Sequence, residues 1–148
     1  MTFFTLSITA MVIFVGAALA FQAPVNAALA RSLGDPVWAA AIQFGIGFAL
    51  LCSIAMFRGA SPTIAQFKTI PWWALTGGGL GAIWVLAAIW SVPRLGVMTM
   101  LTAMILGQMI AALLLDSNGL FGLEVRDIGL TRIAAIGLVA AGVFLSYR

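Results

Sequence analysis

The chain has 148 residues, 64% of them hydrophobic and 7% charged, with no His and a formal net charge of +3. Soluble domains run at roughly 25% charged residues, so this composition cannot cover a water-facing surface and specifies an integral membrane protein. The basic balance rests on 7 Lys and Arg against 4 Asp and Glu; these are scattered over loops rather than clustered on a face, which argues against a nucleic-acid partner.

A spanning helix needs about 20 apolar residues at 1.5 Å rise each. Runs of that kind occupy residues 2–30, 36–57, 71–92, 96–115 and 130–147. None shows the alternating polarity over ~10-residue segments that a membrane barrel requires. The predicted fold is all-α, a single five-helix transmembrane domain over residues 1–148 surrounded by the lipid bilayer. Residues 1–30 carry no Lys or Arg ahead of their apolar run and are too long for a signal-peptide core, so they read as the first span.

The first span contains Gln22, Pro24 and Asn26. Gln22 and Asn26 are four apart and share one helix face, while Pro24 removes the backbone bond to the Ala20 carbonyl. A freed acceptor beside two amides makes this the sharpest polar constellation in the chain, either a substrate-binding notch or interhelical hydrogen-bonding glue. The second span carries a further amide, Gln43, and the only cysteine, Cys52; a lone Cys implies neither a disulfide nor a metal site.

Trp72 and Trp73 follow Pro71 at the start of the third span, where aromatic side chains anchor at the membrane interface. Trp73, Gly77, Gly81, Trp84, Ala88 and Ser91 then recur every three or four residues along one face. Gly77 and Gly81 are expected to admit a close helix neighbour, and the deeper Trp84 is the aromatic to set against a ligand. In the fourth span Ala103, Gly107 and Ala111 form a second small-residue face beside the amide of Gln108, read as buried. Gly137 and Ala141 form a third in the fifth span. No Asp, Glu, Lys or Arg lies in the middle of any span, so the embedded carboxylate that a proton-coupled cation exporter needs is missing.

Basic residues near span ends normally stay cytoplasmic and fix orientation. Here Arg58, Lys68, Arg126 and Arg132 fall on the side of the N-terminus, and Arg31, Arg94 and Arg148 on the other. Four against three is too even to set one topology. Either both orientations occur, with the protein working as an antiparallel pair, or a partner decides the orientation; if one orientation wins, the count favours the N-terminus inside.

The motifs Pro71-Trp72-Trp73, Gly77-Gly78-Gly79-Leu80-Gly81, Leu95-Gly96, Gly107-Gln108 and Leu115-Asp116 with Gly119 and Gly122, together with Asn26-xx-Leu29 after Gln22, resemble the YdcZ family of the drug/metabolite transporter superfamily. The resemblance covers about Phe4 to Tyr147. It implies a multi-pass protein of the bacterial inner membrane, equivalent to one half of the superfamily's ten-helix transporters, whose two halves pair in opposite orientations. The related small multidrug resistance proteins carry a carboxylate in the first helix; Gln22 and Asn26 stand in the comparable region here, so cation/proton antiport does not transfer.

The expected function is transport of a small neutral or zwitterionic metabolite or drug-like compound, by alternating access at the interface of a homodimer or of a pair with a homologous subunit. Gln22, Asn26, Gln43, Trp84 and Gln108 are the expected substrate-binding residues; Gly77, Gly81, Gly107 and Gly137 are the expected helix-packing residues. No cofactor or metal is called for. An accessory or scaffold subunit of a larger membrane complex is the alternative, its small-residue faces serving as docking surfaces. An enzyme is not expected, since the chain holds no nucleophile–base pair.

Overall fold

The computed structural model describes residues 3–59 and 62–147. Thr2, where the first span was expected to begin, and Arg148, counted in the charge balance, lie outside them. Among the described residues there is no strand. The chain forms α1 (Phe3–Leu33), α2 (Pro36–Phe57), the short α3 (Ile64–Lys68), α4 (Thr76–Leu95), α5 (Val97–Asn118) and α6 (Leu130–Ser146), with single 3-10 turns at Trp72–Leu75 and Leu120–Gly122. The protein is an all-α membrane protein.

Four helical segments, Thr5–Leu33, Pro36–Phe57, Trp72–Leu95 and Val97–Asn118, are long and apolar enough to cross a bilayer. The fifth run is shorter than expected: α6 has 17 residues, about 26 Å at 1.5 Å per residue, the low end of spanning length. The first helix is longer than expected and continues unbroken through Pro24 to Leu33.

Local chemistry sets the turns. Gly34 adopts a positive φ of 70°, which glycine tolerates without steric cost, and Asp35 then caps α2, its Oδ1 accepting from the amides of Val37 at 2.7 Å and Trp38 at 2.9 Å. Pro36 follows at the first helical position, where no amide hydrogen is needed. α5 ends on Gly119 in the left-handed region. A β-carbon there would meet Val125 Cγ2 at 2.7 Å, so only glycine fits.

The helices divide into two compact units, residues 1–93 and 94–148. The first unit is built on alanines. Ala30 of α1, Ala39 and Ala40 of α2, and Val85 and Ile89 of α4 form one buried cluster, with Leu29, Trp84 and Leu86 packed against it. Ala23 and Ala27 are buried on the same face of α1. Small side chains let helix backbones approach where lipid offers no hydrophobic driving force.

The second unit is the hairpin of α5 and α6, tied at both ends. Thr99 Oγ1 donates to the Ser146 carbonyl at 2.9 Å. At the other end Arg132 Nη1 lies 3.1 Å from Asp116 Oδ2. Large apolar side chains such as Phe14, Phe21, Leu80 and Leu138 are exposed, as suits contact with acyl chains.

Candidate functional site

The α1–α2 hairpin turns at Gly34–Asp35, which sets Ala30 against Ala39 and Ala40. One helical turn further from the hairpin bend, at four residues in each direction, stand Asn26 on α1 and Gln43 on α2. Trp84, on α4, packs against the same alanine cluster. Three helices thus bring three polar side chains to within a turn of one core.

None of the three is satisfied there. Asn26 is 4% exposed, and its Nδ2, the Oε1 of Gln43 and the Nε1 of Trp84 are all buried without a hydrogen-bond partner. A buried polar group with no partner carries its full desolvation cost, about 1–3 kcal/mol each, and native interiors hold few of them. Two donors and one acceptor are thus left open in one unit.

Gln22 is half-buried, one turn before Asn26 on the same face of α1. It lines an open cleft of about 540 Å³ with Gln43, Phe44, Ile46, Gly47, Phe48 and Leu51. That volume falls in the range of about 300–1,000 Å³ usual for small-molecule sites, and its walls are apolar apart from the two amides. Four of the five residues singled out in the sequence, Gln22, Asn26, Gln43 and Trp84, therefore belong to the first unit.

Gln108 differs. It lies on α5 in the second unit and is exposed, contrary to its reading as a buried amide. The reason is the helix face: Met109, Ala112, Leu113 and Asp116 form the side of α5 that lines a cleft with Arg132, Ala135 and Ile136 of α6, and Gln108 stands off that face.

The glycines also separate. Of the four glycines expected to pack, Gly81 alone meets a neighbour, since a β-carbon there would lie 3.5 Å from the ring of Phe44; Gly77, Gly107 and Gly137 have nothing within 4 Å of such a carbon. Sequence reasoning overlooked Ala23 and Ala27, although their spacing of four is the same small-residue signal used for the glycines. It also overlooked the Thr99–Ser146 and Asp116–Arg132 contacts, which join residues 47 and 16 apart. Among the described residues no group of three His, Cys, Asp or Glu could hold a metal ion.

Residues 7–145 match the family whose description reads "Putative inner membrane exporter, YdcZ". The chain belongs to the YdcZ family. Comparison with curated proteins and with solved structures gave no match. The YdcZ assignment makes the chain a multi-pass inner-membrane protein of a transporter family, and it argues for transport rather than enzymatic chemistry.

Proposed function

We propose that the five helices act as one transmembrane domain that exports a small neutral or zwitterionic solute by alternating access, binding it in the first unit. The observation that carries this reading is the trio of buried, unpartnered polar atoms, Asn26 Nδ2, Gln43 Oε1 and Trp84 Nε1. The two N–H groups receive carbonyl, carboxylate or hydroxyl oxygens of the solute, and the Gln43 oxygen accepts from a hydroxyl, amide or ammonium. Gln22 lines the adjoining cleft with Gln43 and offers the solute a further amide.

No formal charge is among these residues, so a fully ionised cation would lose its hydration without a counter-charge, at a cost of several kcal/mol. A solute whose charges balance internally avoids that penalty. Alternating access is completed by a second copy in the opposite orientation. Within the second unit, the exposed positions Gly107 and Gly137 and the exposed amide of Gln108 are assigned to that pairing, because an amide facing hydrocarbon calls for a partner; in the first unit the exposed Gly77 is assigned to it separately.

The test is a thermal-shift screen of neutral and zwitterionic small molecules on the purified protein, since a binder stabilises the folded state by mass action. Hits that lose their effect in Asn26→Leu and Trp84→Phe support the reading. Hits that shift wild type and both variants equally contradict it. Purification only as a stoichiometric part of a larger complex, with no hits, would favour an accessory subunit instead.

A further inference from the structure

A second constellation lies outside that site. Between α5 and α6 runs a cleft of about 190 Å³, lined by Met109, Ala112, Leu113, Ala135 and Ile136 and closed at one end by Asp116 and Arg132. Asp116 is in the last turn of α5, and Arg132 is in the first turn of α6. Each charge thus sits at the helix end where the backbone dipole disfavours it, an anion at a C-terminus and a cation at an N-terminus. Helix electrostatics works against the pair, which is held by mutual attraction at 3.1 Å.

The position is at the membrane boundary. α5 spans about 33 Å at 1.5 Å per residue, close to the roughly 30 Å hydrocarbon thickness, and Asp116 is two residues from its end. Both side chains are about one third exposed, at 33% for Asp116 and 34% for Arg132. The Nη1–Oδ2 bond of 3.1 Å uses one of five guanidinium donors and one of two carboxylate oxygens. The other guanidinium donors and the second carboxylate oxygen are left for a further partner, beside a cleft whose remaining lining is apolar. Its volume is below that of usual drug-sized sites and suits a single chain.

We propose that this cleft holds one zwitterionic phospholipid with a primary ammonium, of the phosphatidylethanolamine type. Its phosphate lies on Arg132, its ammonium donates to Asp116, and the start of one acyl chain fills the cleft between α5 and α6. Adjacent opposite charges complement a headgroup that carries both signs. A purely anionic headgroup would meet the Asp116 carboxylate, and a quaternary choline cannot donate the hydrogen bond.

The experiment uses the full-length protein in detergent, with dioleoyl phosphatidylethanolamine, phosphatidylcholine or phosphatidylglycerol added, read by native mass spectrometry and by melting temperature. Phosphatidylethanolamine should be retained about tenfold more tightly than either of the others, the order of one charge-assisted hydrogen bond. Asp116→Asn should abolish the preference over phosphatidylglycerol, Arg132→Gln should remove retention, and Ala135→Phe should weaken it by filling the cleft with both charges intact. If the charge variants do not fold, the headgroup comparison on wild type and Ala135→Phe still decides. Equal retention of the ethanolamine and choline lipids, tighter retention of phosphatidylglycerol, or equal binding of free phosphoethanolamine without chains would each overturn the proposal.

Discussion

The ring of Phe44 on α2 lies 3.5 Å from where a β-carbon of Gly81 on α4 would stand. A β-carbon would stand in ordinary contact with a ring that also walls the Gln22–Gln43 cleft, so only a side chain longer than Ala at this position presses on the wall of the proposed site. Gly81→Leu should destabilise the protein by about 1–3 kcal/mol through overpacking and should displace Phe44. Gly77→Leu meets open space within the chain, so it should leave monomer stability unchanged and lower only dimer yield. Melting temperature and size-exclusion profile on the two variants check both outcomes; equal destabilisation would show that the glycines share one neighbour.

The hairpin of the second unit offers a separate test. Thr99 is buried and donates to the Ser146 carbonyl at 2.9 Å. Thr99→Val keeps the shape and deletes the donor, at an expected cost of about 0.5–1.5 kcal/mol. Thr102→Val should cost less, because its hydroxyl bonds within α5, to Met98 and Thr99 carbonyls, and only approaches Ser146 Oγ at 3.5 Å. Thermal melts of the two variants in one detergent measure the difference.

Much of the fold could be read from the chain, because apolar runs of spanning length have few alternatives in a bilayer. Helix ends were less legible. α1 continues to Leu33 because Pro24 costs one backbone bond in a helix that lipid otherwise forces to stay intact, and α3 starts on a local capping box between Thr63 and Gln66 that apolar counting does not register. The residue types of the site were legible, since amides in a span are conspicuous. Their burial was not: Asn26 and Gln108 look alike in sequence, yet one faces an alanine core and the other the outside. The Asp116–Arg132 pair joins residues across an eleven-residue connection, and no short spacing signals it.

Orientation follows from charge. With the basic residues split four to three, a C-terminal reporter active on one side only should give signal in both compartments, and two added Lys at the N-terminus should shift the population to one. A reporter wholly confined to one side in the unmodified chain would exclude dual insertion and require a partner of opposite bias.

The N-cap at Asp35 fixes the bend that sets α1 against α2. Asp35→Ala removes the acceptor for two amides and should cost about 0.5–2 kcal/mol. Because the bend holds Asn26 opposite Gln43, solute affinity should fall with stability in this variant, measured by melt and titration together.

Asn26 and Gln43 should behave in the opposite way, and they test the central claim most directly. The decisive measurement is paired: melting temperature and affinity for a solute found by thermal shift, on wild type, Asn26→Leu and Gln43→Leu. Each change deletes an amide with one buried, unsatisfied atom, so melting temperature should hold or rise, while affinity should fall about tenfold per lost hydrogen bond. Unchanged affinity in both variants would contradict a binding site in the first unit, and a fall in melting temperature that tracks the fall in affinity would make the amides helix-bridging groups.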